Sequence, residues 1–214
     1  MLSGGALIDS YWSYLLFMQN APHFSLSFTL VELLITLAIA AILLGLSIPS
    51  FTALISSNRL SSSANKWITT LNYARSEAIK RNQQVVVRKT STNWEQGWQV
   101  FVDIDRSTVA RQNVLDSDDI LLRDYAALPV GFTLRGNQNF SNFIRYKPNG
   151  VSSSFGSFVI CDNRDGNNLP EPDTSKLLTV NAAGRVHLGI DANINGIPER
   201  DDGSEIVSCT VSPF

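Results

Sequence analysis

With 214 residues, 44% of them hydrophobic and 17% charged, and a formal net charge of −2, the chain has room for one domain of about 100–150 residues plus an extra element. A pI near 5.7 excludes the broad basic surface of most nucleic-acid-binding domains, whose pI exceeds about 9, though not a small basic patch. Mean hydropathy is only +0.03, so a strongly apolar stretch is a local departure from a soluble average.

Residues 1–27 contain no Lys or Arg, so loop charge assigns no membrane orientation. Phe28 to Ile48 follows as an apolar run of about 21 residues, which as a helix crosses a hydrocarbon core of about 30 Å. It is too long for the h-region of a cleaved secretory signal, which runs about 7–15 residues. From Leu33 to Leu46 only Thr36 interrupts it, yet Glu32 stands near its start. A carboxylate there is costly and by default marks function with a partner. The alternative is a Glu that snorkels to the headgroups and needs none.

Pro49 ends the apolar run and is expected to kink or loosen the helix, because it removes a donor and crowds the preceding turn. Beyond it, Leu60, Ala64, Trp67, Leu71, Ala74 and Ala78 recur at steps of four and three, predicting an amphipathic helix over 49–82 with Ile68 beside the stripe. Arg59, Lys66, Arg75 and Glu77 lie on its other faces, and Glu77 is spaced to pair with Arg81.

After Asn82 the pattern becomes short β-branched or aromatic segments punctuated by Gly, Pro, Asn and Asp. QVVVRKT, GWQVFVDID, ILLRDY, GFTLRG, NFIRYKP, GSFVICD, KLLTVNA, RVHLGI and EIVSCTV read as nine strands of an antiparallel sheet or sandwich over 83–214. The helical stripe needs an apolar surface to cover, and one sheet face supplies it. The expected fold class is therefore α+β. Cys161 and Cys209, downstream of a membrane segment, read as one disulfide outside the cytosol, closing a loop of about 49 residues that contributes about 4 kcal/mol. Two unpaired buried thiols are the alternative.

FTLVE, followed by an apolar run and a proline, resembles the class III signal of type IV pilins and type II secretion pseudopilins. That resemblance implies cleavage by a prepilin peptidase between Ser27 and Phe28 and methylation of the new Phe28 amine. Glu32 then becomes mature residue five and Pro49 mature residue twenty-two, the family's positions for these residues. LNYARSEAIKRNQQVVV, WEQGWQVFVDID, GSFVICDN and VNAAGRV are similar to the FimT/GspH group of minor pilins and pseudopilins. The resemblance implies a leader in the cytoplasm and a β-rich domain in the periplasm. It also implies an inner-membrane pool of subunits, and assembly with other pilins at an inner-membrane platform. Ser27 departs from the family's Gly before the cut. The leader is long, and Met18 offers an alternative start that leaves MQNAPHFSLS. An α-amine near pKa 7.7–8.0 is mostly protonated at neutral pH. Glu32 of an incoming subunit could therefore meet the Phe28 amine of one already assembled, each offsetting the other's burial.

Other signals carry less. DANINGIPERDD places Asp191, Asn193, Asn195, Gly196, Glu199 and Asp202 at the offsets of a calcium loop, but a polar turn explains them as well. GRVH places Arg185 and His187 where some FimT-type relatives carry a DNA-binding Gly-Arg-x-Arg, and Arg145 and Lys147 are further cations for such a patch. His187, largely neutral at pH 7, weakens it. Asp103 and Asp105 alternate at what reads as a strand end rather than a carboxylate pair. Trp67, Trp94 and Trp98 read as core anchors, and His23 falls in the leader. With no phosphate loop, nucleophile elbow or zinc spacing, no enzyme activity and no cofactor are expected.

Overall fold

The computed structural model describes residues 28–212 and 214; the side chains of residues 46–50 and 53 lie outside that description. The leader and Ser27 lie outside it too, as does the local packing expected to bend the chain at Pro49. A helix, α1, runs Leu30–Arg81. The chain divides into two compact units, Met1–Pro49 and Ser50–Phe214.

In the first unit the described part of α1 is apolar and exposed all round, from Leu30 to Leu44. Among the described residues no helix is long and apolar enough to cross a membrane. The run expected to do so continues into residues whose side chains are not described.

In the second unit, α1 buries the stripe that the periodicity predicts: Leu60, Ala64, Trp67, Leu71, Ala74 and Ala78 are all at most 2% exposed. Its C-terminus is closed at Asn82, whose positive φ of 53° turns the chain while Gln83 N–H donates back to the Ala78 carbonyl at 3.2 Å. Lys80 and Arg81 in the last turn complement the helix dipole, and Arg81 Nε meets Glu77 Oε2 at 2.6 Å.

Among the described residues eight strands follow: β1 (Val85–Lys89), β2 (Gly97–Val102), β3 (Ile120–Ala126), β4 (Phe132–Gly136), β5 (Phe143–Tyr146), β6 (Gly156–Asp162), β7 (Ser175–Val180) and β8 (Val186–Leu188). They form two antiparallel four-stranded sheets, ordered β3-β2-β1-β5 and β4-β6-β7-β8. The inward residues of both sheets, among them Val85, Val87, Val100, Ile144, Phe158, Ile160 and Leu178, share one core with the helical stripe. The fold is α+β, a long N-terminal helix on antiparallel β structure.

The ninth expected strand is not one. Around EIVSCTV there is a single bridge, Glu199 to Glu205, and otherwise irregular chain. Instead of extending an edge, this segment lies over the outer face of the second sheet. Its Ile206, Cys209 and Phe214 pack with Val159, Cys161 and Leu177. The apolar alternation read as a strand comes from residues aimed at a sheet face.

Candidate assembly site

Of the N-terminal residues that sequence reasoning singles out, Phe28 and Glu32 stand at the start of α1, Pro49 lies further along it, and Ser27 falls outside the described residues. Thr29 precedes the helix, and its hydroxyl accepts the Glu32 N–H at 3.1 Å, closing one of the open donors of the first turn. Glu32 lies in that turn, where a carboxylate suits the positive end of the helix dipole. Phe28 is 69% exposed just ahead of it. Thr36 turns its hydroxyl back onto the Leu33 carbonyl at 2.9 Å, so the one polar interruption of the apolar run is satisfied within the helix. The arrangement is a capped helix start with one carboxylate on an otherwise largely apolar, exposed segment.

Cys161 on β6 and Cys209 in the C-terminal segment are joined as a disulfide, with Cα atoms 5.8 Å apart. Thr133 on β4 adds a hydrogen bond to the Cys209 carbonyl at 3.2 Å. The tail is thus fixed to the sheet's outer face by one covalent and several apolar contacts.

Arg185 precedes β8 and His187 lies within it, opposite Thr179. His187 Nε2 stands 3.5 Å from an Asp201 carboxylate oxygen. Arg145 belongs to the other sheet, on β5, where its guanidinium donates to the Asn113 side chain at 3.0 Å. Arg145 thus stands on a different sheet from Arg185 and His187.

The calcium-like loop is occupied by its own backbone. The two Asp191 carboxylate oxygens accept the Asn195 and Gly196 N–H groups at 3.1 and 2.7 Å, and Glu199 accepts those of Ala192 and Asn193. Asp202 is turned onto Ser204, and Glu205 takes the Asn193 and Asn195 amides. Among the described residues no group of three or more His, Cys, Asp or Glu could hold a metal ion.

Asp103 and Asp105 do not share a strand face, because β2 ends at Val102. Burial pushes the Asp103 carboxyl up, with one hydrogen bond from Asn113 N–H opposing it. Asp105 is half-buried and held below the usual range by hydrogen bonds from Ser107, with Arg111 adding to them. Trp67, Trp94 and Trp98 are fully interior.

Sequence reasoning missed Asn113. It sits at φ 61° in the β2–β3 loop; its N–H donates to Asp103, its carbonyl accepts Arg88 at 2.8 Å, and its side-chain oxygen accepts Arg145. One residue thereby draws the loop onto the outer face of the first sheet, where Val86 and Phe101 are fully buried. The sole signal for it was an Asn, tolerant of left-handed backbone, in a turn-rich stretch.

Such a helix-led α+β subunit, apolar at its start and β-rich afterwards, is of the pilin-like class. Residues 63–184, more than half of the chain, match the family described as "Type II transport protein GspH", and the chain belongs to that family of minor pilins and pseudopilins. The type IV minor pilin FimU of Pseudomonas aeruginosa (strain PAO1) is similar in structure in two crystal forms. The first gives a TM-score of 0.49 at 22% identity, covering 71% of this chain and 96% of FimU; the second gives 0.46 at 21%, covering 70% and 98%. The minor pseudopilin EpsH from the Type 2 Secretion System of Vibrio cholerae gives 0.43 at 15% identity, covering 63% of this chain and 98% of EpsH. No curated protein matches the chain.

Proposed function

We propose that the chain is a non-enzymatic minor subunit of a type II secretion pseudopilus or a type IV pilus. It is held in the inner membrane through 28–48, with its β-rich domain in the periplasm, until it is added to the filament. Prepilin peptidase cuts between Ser27 and Phe28, and the new Phe28 amine is methylated. Glu32 then meets the Phe28 amine of a subunit already in place, two charges that a low-dielectric setting tolerates only as a pair. The observation that carries this reading is a single carboxylate, four residues beyond Phe28, in the first turn of an apolar exposed helix in a chain of the GspH family.

Mass spectrometry of the mature N-terminus tests processing: a methylated Phe28 is expected, and a working protein that keeps residues 1–27 overturns it. Glu32→Gln tests recruitment separately. The variant is expected to reach the membrane in normal amount and to be depleted from isolated filaments; normal incorporation sinks the docking role. Secretion-channel genes beside this one favour the pseudopilus, and pilus-motor genes favour the pilus. Capture of DNA through Arg185 and His187 is the competing reading, and the Asp201 carboxylate beside His187 counts against it. Salt-dependent duplex binding, lost in Arg185→Ala, would revive it.

A further inference from the structure

Open sheet edges invite pairing, and proteins usually blunt them. Three of the four edges are accounted for. On β4, Leu134 N–H donates to Glu95 Oε2 at 3.4 Å, and Arg135 pairs with the same carboxylate. Beside β5, Tyr146 bridges to Ser152, and Ser153 N–H donates to the Arg145 carbonyl at 2.8 Å. β3 pairs through a register shift between Val100 and Phe101 and carries Arg123 and Asp124. Val186–Leu188 of β8 carry none of these, although just beyond them the Ile190 carbonyl accepts the Glu199 N–H at 2.8 Å.

Asn181 N–H donates to the Arg185 carbonyl at 3.0 Å and Gly189 N–H to the Leu177 carbonyl at 2.8 Å. Alternation along an antiparallel pair therefore turns the backbone groups of His187 toward β7 and those of Val186 and Leu188 outward. Among the described residues no hydrogen bond reaches those outward groups.

Beside β8 the segment Glu199–Glu205 forms an arm closed on itself, with Arg200 N–H donating to Ser204 O at 2.8 Å and Gly203 N–H to Arg200 O at 3.0 Å. Two clefts flank it. One, of about 380 Å³, lies between Phe155, Leu177 and Thr179 and the Asp201–Asp202 tip. The other, of about 360 Å³, lies between His187, Leu188 and Ile190 and the Glu199–Asp201 side. The arm carries four carboxylates against one arginine. Phe155 and Ile190 are 67% and 74% exposed beside it.

We propose that β8 and this acidic arm form a docking edge for an extended, cationic segment of another protein. The segment adds as a strand against Val186 and Leu188, sets an apolar side chain into a cleft, and places Lys or Arg against Asp201. Charge decides the class of partner: Asp201, 74% exposed on its side chain, attracts a cationic peptide and repels a phosphate backbone. This proposal does not depend on how the N-terminal helix is stored or cut.

The test uses the full-length protein in non-ionic detergent and a fluorescent, end-capped seven-residue peptide of alternating Val and Lys, read by anisotropy. Binding that weakens as salt rises from about 0.05 to 0.5 M is expected. No binding is expected for the Val-Glu counterpart, nor for a Val-Lys peptide N-methylated at alternate amides, which cannot complete a strand pairing. Asp201→Lys, at an exposed site, is expected to weaken binding about tenfold without moving Tm. The proposal is overturned if the Val-Lys peptide does not bind, if Val-Glu or the methylated peptide binds as well, or if Asp201→Lys binds normally. Binding of a 20-base-pair DNA duplex that Arg185→Ala abolishes also overturns it, assigning the strand to nucleic acid.

Discussion

Asn113 shows how much one residue can hold. Its left-handed backbone is open to Asn and Gly and strained for Ala by about 1 kcal/mol or more. Asn113→Gly keeps the backbone bonds to Asp103 and Arg88 and loses only the side-chain acceptor for Arg145. Asn113→Ala loses that acceptor and adds the strain. Ala is therefore expected to be the more destabilising, by about 1 kcal/mol in urea unfolding, reversing the usual order in which Gly is the worse substitution. Equal midpoints for the two variants would mean that the left-handed turn does not constrain the loop.

The same loop makes a pH signature. Asp103 has its carboxyl raised in the folded state, chiefly by burial, so the native protein binds this proton more tightly than the unfolded chain does. Stability from this site is then lost as pH rises from the ordinary carboxylate value near 3.8 through the raised native value. Asp105 works oppositely: its lowered carboxyl stabilises above the ordinary value, and that contribution disappears as pH falls through the native one. In Asp103→Asn the first effect is removed. Relative to the parent, the variant should gain stability as pH climbs out of the carboxylate range and lose the difference near pH 3, when urea midpoints are compared across pH. A constant offset at every pH would show that Asp103 does not titrate between the two states.

At the scale of elements, legibility tracks how local the determining interaction is. The stripe from Leu60 to Ala78 could be read because a 3.6-residue period is visible in sequence, and eight strands could be read from β-branched runs between turn residues. The C-terminal segment could not, since the same alternation serves a strand or a chain laid across a sheet, and the choice rests on the distant Cys161. Asn113 was invisible because its partners lie 10, 25 and 32 residues away. Because the tail lacks ladder hydrogen bonds, its hold on the sheet depends heavily on the disulfide. Cys209→Ala should lower stability by about 2–4 kcal/mol and make the tail the first site of proteolysis. A variant with parental stability and cleavage pattern would assign the hold to Ile206 and Phe214 alone. Calcium should leave Tm unchanged, because Asp191 and Glu199 already serve backbone N–H groups; a calcium-dependent rise in Tm would mean the loop rearranges to take the ion.

Across the globular unit, helix and both sheets meet at Trp67. Its ring lies edge-on to Trp94 and Trp98 at centroid distances of 5.0 and 4.9 Å, and to Phe158 on β6 at 4.9 Å. Trp98 belongs to the first sheet and Phe158 to the second, so one helical side chain touches the interior of both. Removing it should open a cavity that neither sheet can fill alone. Trp67→Ala is expected to cost about 3–5 kcal/mol, near the whole margin of a domain this size. Trp67→Phe should cost much less, because the Trp67 Nε1–H is buried without a hydrogen-bond partner among the described residues, and Phe discards that burden along with some volume. The decisive measurement is cooperativity. If Trp67 links the two sheets, Trp67→Ala shifts a single transition seen alike by tryptophan fluorescence and far-ultraviolet circular dichroism. Two separated transitions would show that the sheets unfold independently and that the helix only covers them.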